Sequence, residues 1–260
     1  MTIAVSLRGM RLLILLALTV SGFAEVQLNL VTDDQLKSPP AKTAGFGFDD
    51  WLIVPLRVHL VSSTETPALQ TTLTEQDLAR ILPKMNRVWA QAGIQFRLES
   101  LIREEALSLE NADAERREEL PARMPRESRS STAFNVYYVK QLDVNGFYMP
   151  RGIFVKDTAA LRPVEGGLDE PLPRVTSHEL GHAFGLPHRQ DRTNLMASGT
   201  TGTLLNDAEI QSAREAAKRF FWIESAPALR KRAEELRAAG KTDDAETLGR
   251  VLSILPIAQP

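Results

Sequence analysis

Eleven residues constrain this 260-residue chain more than all the others. The run His178-Glu179-Leu180-Gly181-His182-Ala183-Phe184-Gly185-Leu186-Pro187-His188 holds three of its 4 histidines. A helix turns about 100° per residue, so His178 and His182, four apart, project from one face with Glu179 beside them. Gly185 adopts a left-handed backbone at no steric cost. A helix that stops there lets the chain turn back and bring His188 to the same place. Three imidazoles meeting in this way suit zinc, which prefers tetrahedral geometry and leaves a fourth position for water when the protein supplies three ligands. Such an open position marks a catalytic site. Closed structural sites use four ligands, usually thiolates, and this chain has no cysteine.

The motif resembles the extended zinc signature of the metzincin metallopeptidases. That family's second hallmark, a methionine turn, is matched by Asn194-Leu195-Met196-Ala197-Ser198-Gly199. Met196 follows His188 by a spacing similar to that of the matrixin-like branch. Arg189, next to the third histidine, matches no common branch marker, which leaves the subfamily unassigned. The resemblance implies one catalytic Zn2+ on His178, His182 and His188, a zinc-activated water with Glu179 as general base, and Met196 as an apolar floor that does not ligate. It also implies an edge strand beside the zinc helix that pairs with extended substrate, for which Gly152, Ile153, Phe154 and Val155 are the candidates. Some metzincins carry a tyrosine two residues after the turn methionine to help hold the oxyanion. Ser198 stands there in this chain, so carbonyl polarisation falls mainly on zinc. Without cysteine, a cysteine-switch latency is excluded. The implied activity is that of a secreted zinc endopeptidase acting on protein or peptide substrates. The alternative is a zinc-bearing secreted protein that binds partners without significant turnover.

Arg8 and Arg11 precede an apolar run over 12–20, and Gly22 and Ala24 are small residues where a signal peptidase reads. This pattern predicts a Sec-type signal peptide over 1–24, cleaved after Ala24, and hence a secreted or periplasmic protein with no membrane association in its mature form. A formal charge of -2 gives no argument for nucleic acid. The acidic pairs Asp33-Asp34, Asp49-Asp50 and Asp243-Asp244 lack the spacing of a calcium loop, so Ca2+ stays open, as does the oligomeric state.

The expected fold class is α+β: a metzincin-like catalytic domain with a mixed twisted sheet, a long backing helix and a zinc-binding active-site helix, plus a C-terminal helical extension. A flexible lead-in is expected over 25–50, the catalytic domain over 51–222, and a helical hairpin over 223–260. A β-branched run predicts a first strand over 52–61, with Pro55 near its start or on an exposed edge. Thr74 to Asp77 resembles a capping box before an amphipathic helix that contains Pro83, where a kink is expected, and ends at Gly93. A second strand is expected over 94–98. The charged stretch 103–131 reads as a solvated helix or loop. Strands follow over 133–139 and 146–155, and a further helix runs from Leu205 to about Phe221. His59 is assigned a structural role.

Overall fold

The computed structural model describes residues 24–26, 45–108, 117–150 and 152–257. In chain order the elements are β1 (Ala24–Val26), β2 (Leu52–Ser62), α1 (Glu75–Trp89), β3 (Ile94–Glu105), α2 (Leu120–Arg123), β4 (Phe134–Val139), β5 (Gly146–Met149), β6 (Gly152–Lys156), α3 (Pro171–Ala183), α4 (Asp207–Ala217), β7 (Glu224–Ser225), α5 (Ala226–Ala238) and α6 (Thr242–Ser253). Apart from Ala24, the signal peptide expected over 1–24 lies outside the described residues. Among the described residues no helix is long and apolar enough to cross a membrane.

The strands form one mixed sheet in the order β1-β3-β2-β4-β6-β5, with β7 pairing the start of β2. β3, β2, β4 and β6 run parallel, while β1, β5 and β7 are antiparallel to their neighbours. Side chains alternate between the two faces of a strand, and β2 divides accordingly. Leu52, Val54, Leu56, Val58 and Leu60 face one core with α1 and α3, whereas Trp51 and Ile53 face a second core with α5 and α6. Both faces being covered explains why β2 reads as an almost unbroken apolar run. This is the α+β arrangement that the sequence leads one to expect, with a mixed sheet, a long backing helix, a histidine-bearing helix and a C-terminal helical extension.

Several local expectations change. β2 lies inside the sheet, so Pro55 is on no edge. It pairs with Arg97 on one side, and on the other it falls in the gap between the β7 partner Ile53 and the first β4 partner Leu56. A residue without an N–H is tolerated in that gap. Other expectations stand: α1 is one amphipathic helix with Pro83 inside it and buries Leu78, Ile81, Met85, Val88 and Trp89. β3 continues to Glu105, so the charged stretch begins as strand and is not simply solvated: Glu104 and Arg123 are buried. Residues 109–116 of that stretch lie outside the described residues. Glu104 meets Nδ1 of the buried His59 at 3.0 Å, and the ring's Nε2 faces Asn135 Oδ1 at 3.1 Å. His59 also stacks on Tyr137 with centroids 4.1 Å apart, so its partners are structural. The span 146–155 is a hairpin of two strands, and α4 stops at Ala217. Of the lead-in, Glu25 and Val26 pair with β3 together with Ala24, the last residue of the expected signal peptide, and Phe46 and Phe48 pack on the second core; 27–44 lies outside the described residues.

The histidine-bearing helix α3 is held at both ends. Pro171 and Pro173 sit in its first turn, where N–H groups have no intrahelical partner. The preceding Glu170 is paired with Arg80 and, at 3.0 Å, with Lys84 of α1, while Lys84 also reaches Asp169 at 2.7 Å. At the far end Phe184 packs edge-on against Trp89 of α1 and Phe134 of β4. The helical hairpin α5–α6 turns at Gly240, whose φ is 78°, and docks on the opposite face. Trp51 is fully buried in that dock. Trp51→Ala is expected to cost about 3–5 kcal/mol in denaturant unfolding and to open the chain near 224–226 to limited proteolysis. Unchanged stability and unchanged digestion would show that the hairpin does not depend on this contact.

Candidate metal centre

α3 carries His178 and His182 one turn apart, and the reversal expected at Gly185 is present. Gly185 has φ 80°, and the Leu186 N–H bonds back to the Gly181 carbonyl at 2.9 Å, a Schellman-type helix end. The turn places the Leu186 carbonyl 2.8 Å from His182 Nδ1. The methionine turn does the same for the first histidine, with the Leu195 carbonyl 2.8 Å from His178 Nδ1. A carbonyl only accepts, so both rings carry their proton on Nδ1 and turn an Nε2 lone pair inward.

His178, His182 and His188 come together: one nitrogen of each lies within 4.8 Å of the other two. His182 Nε2 and His188 Nε2 are 3.1 Å apart. Nitrogens each about 2.0–2.1 Å from a common tetrahedral ion would stand about 3.3 Å apart, so this pair already has the spacing of zinc ligands. The donor set fits the metal in chemistry as well. It is three imidazoles, two with their second nitrogen oriented by a carbonyl, as metal-bound histidines ordinarily are. Among the described residues this is the one cluster of three or more metal-ligating side chains. Burial, with the Arg174 charge adding to it, pushes the His178 pKa down to about 3, which keeps the ring neutral and ligand-competent.

Glu179 is buried beside the cluster, 5% exposed. Burial pushes its pKa up to about 8, against the opposing pull of the Arg174 charge and a hydrogen bond from the Tyr148 N–H. That bond follows from the register of the hairpin. Lys156 N–H donates to the Asn145 carbonyl, and steps of two along β5 leave the N–H of Tyr148 on the strand's outer side. Gly146 lies flat against α3 at the same point: a Cβ there would stand 2.7 Å from Val175 Cγ1 and 3.1 Å from Glu179 Cγ.

Met196 is fully buried under α3, and a Cβ on Gly181 would stand 2.5 Å from its sulfur. Gly181 is therefore the residue that lets the methionine turn approach the helix. Ser198 is exposed. The strand Gly152, Ile153, Phe154 and Val155 is not the edge expected of it. It is β6, flanked by β4 on one side and β5 on the other, so its main-chain groups are already paired. The sequence reads as one strand over 146–155 and carries nothing about order in the sheet; the edge position belongs to β5.

Sequence reading also missed Glu209, on α4. One of its oxygens pairs with Arg189, next to the third histidine, while the other accepts from Asn194 Nδ2 at 2.8 Å and from the Asn206 N–H at 2.9 Å. Asn194 Oδ1 in turn accepts from the Met196 N–H at 2.7 Å. The third-ligand segment and the methionine turn are thus tied to one carboxylate.

No protein-family model matches the chain, and no curated protein sequence matches it. Solved structures with similarity include mirolysin in complex with compound 9, at 12% identity and a TM-score of 0.48 over 64% of this chain and 91% of that one. Another is an archaemetzincin from Methanopyrus kandleri, at 16% identity and 0.43 over 64% and 96%. A third is metalloproteinase-II from Bacteroides fragilis, at 8% identity and 0.36 over 72% and 60%. Fold and site together define an α+β scaffold carrying three histidines whose nitrogens could hold one metal ion, and these donors are the chain's own.

Burial raises the Glu209 carboxyl, but the bonds from Asn206, Asn194 and Arg189 outweigh it and hold the pKa below the ordinary value. A carboxyl lowered on folding adds stability above its unfolded pKa, about 4.3, and loses it as pH falls through the folded value. Glu209→Gln should therefore lower the Tm at pH 7 and flatten its decline between about pH 6 and pH 3. Parallel Tm curves for variant and wild type would contradict the role given to this carboxylate.

Proposed function

We propose that this chain is an exported zinc-dependent endopeptidase of the metzincin type, with the Met196 spacing as its matrixin-like feature. The observation that carries the reading is the convergence of the three imidazoles beside one buried carboxylate. His178, His182 and His188 would hold a single zinc ion through their inward nitrogens. Bound zinc supplies a Lewis acid that polarises a carbonyl and lowers the pKa of a water from about 15.7 to about 7.

The charge of a bound zinc would favour the ionised carboxylate over the protonated form that burial alone favours, and Glu179 would then take the proton of the attacking water and hand it to the leaving amine. Its carboxylate is held for this by the Tyr148 N–H, and Gly146 of the same strand lies close against its Cγ. β5, rather than the 152–155 strand, is the edge to which an extended peptide would add through main-chain hydrogen bonds, the Tyr148 N–H on that edge being already given to Glu179. Met196 serves as the apolar floor beneath the site. The signal-peptide pattern at the N-terminus supports export.

Metal-loaded protein should hydrolyse a quenched peptide library, and a chelator should stop it. Glu179→Gln should keep stoichiometric zinc and lose about 100- to 10,000-fold in kcat, the range of general acid–base catalysis. His182→Ala should lose the zinc as well. Absent cleavage by zinc-replete wild type would leave a metal-bearing binding protein instead, and a Glu179→Gln variant of full activity would remove the base.

A second variant tests the placement of that base. Gly146→Ala introduces a methyl group against Val175 and Glu179. It should reduce kcat by at least tenfold with zinc content unchanged, since a misplacement of about 1 Å is worth about 100-fold. Wild-type turnover in this variant would mean that β5 does not position the carboxylate.

A further inference from the structure

Resting on the metal-centre reading above, we propose that Arg174 is a positioning residue of the zinc site, locking the methionine turn onto the zinc helix so that the Leu195 carbonyl orients His178. Arg174, His178 and His182 form one stripe on α3 at steps of four, so the arginine lies one helical turn before the first ligand. Its side chain is 2% exposed. Nε donates to the Gly202 carbonyl at 3.1 Å, and Nη2 donates to the carbonyls of Ala197 and, at 3.4 Å, Asn194. These three acceptors bracket Leu195 and Met196 on both sides.

Nη1 stands 3.2 Å from His178 Nδ1. Arginine only donates, and the closer Leu195 carbonyl only accepts, so the ring proton belongs to the Leu195 contact. Arg174 therefore acts on His178 through the loop. A buried guanidinium is costly unless its donors are satisfied, and a planar fork is what reaches several carbonyls at once. Lysine would keep the charge but concentrate it at one point. The fork, rather than the charge, is what the site uses.

The test compares Arg174→Lys and Arg174→Met with wild type in two readouts: zinc affinity by competition with a chromogenic chelator, and kcat and KM on a cleaved peptide. Loss of an outer-shell orienting group typically costs 10- to 100-fold in metal affinity or activity. Both folded variants should show that loss in zinc affinity, with kcat falling and KM unchanged, and lysine should not rescue methionine. Lysine at wild-type affinity and kcat would overturn the proposal, because charge alone would then suffice.

Amide hydrogen exchange of the wild type covers the case in which neither variant folds. Adding zinc should slow exchange across 194–202, since the loop and the metal would share one ordering free energy. Unchanged protection there would also overturn the proposal. If wild type itself takes up no zinc, the metal-centre reading fails. If it takes up zinc and the variants do so equally well, only the role of Arg174 fails.

Discussion

Two carbonyl oxygens decide whether two of the three clustered histidines can serve as metal ligands. An imidazole offers either nitrogen, and only when the Nδ1 proton is committed elsewhere does Nε2 become a lone pair aimed inward. Leu186 and Leu195 supply those oxygens. Both lie C-terminal to the helix that carries the rings, so the backbone after Ala183 has two tasks. It must reverse at Gly185 to return one carbonyl to His182, and it must pass under the helix at Met196 to bring another to His178.

A helix asked to hold ligands this tightly has almost no free surface. From Leu172 to Gly181 every residue of α3 is buried, polar ones included. Burying polar groups is costly unless they are bonded, and the Ser177 hydroxyl is the one on this helix without a hydrogen-bond partner. Thr176 Oγ1 bonds the Leu172 carbonyl at 2.9 Å and the Tyr138 hydroxyl at 3.0 Å, which fastens the helix to β4. Arg174 spends its donors on loop carbonyls. The exposed charges are kept to the helix start, where Lys84 meets Asp169 and Glu170. The second core, on the other face of β2, braces the same sheet with the α5–α6 hairpin. With no disulfide open to this chain, packing on both faces carries the stability.

The metal centre was legible because its geometry is written in local spacing: four residues for one helical turn, a glycine for the reversal, a methionine a fixed distance on. The backing helix was legible through Thr74, Asp77 and the step of three and four that follows. Strand order was not. Alternation in 146–155 identifies strand but carries nothing about which neighbour it pairs with, so β6 was read as an edge that β5 in fact occupies. The charged stretch misled for a related reason: Glu104 is buried because His59, 45 positions earlier, comes to meet it, and no local pattern encodes that. Arg174 did leave a signal, an arginine four residues before the first ligand on the same helical face, whereas Glu209 left only an N3 acid in a capping box, which reads as local.

The methionine turn is gripped by two sets of donors that reach it by different routes. Arg174 arrives from the helix and bonds backbone oxygens at 194, 197 and 202. Glu209 arrives from α4 and works through the Asn194 side chain, whose own oxygen fixes the Met196 N–H. The acceptors in the first set are carbonyls, which every residue possesses, so positions 194, 197 and 202 are not constrained in identity by those bonds. Gly202 is constrained for another reason, since a Cβ there would stand 2.4 Å from the Arg192 carbonyl. Chemical identity is instead concentrated in the donors and in the glycines that permit close approach. The specification of the centre therefore reaches beyond its eleven-residue motif to a few side chains, Arg174, Asn194 and Glu209, whose role appears only once the chain is folded.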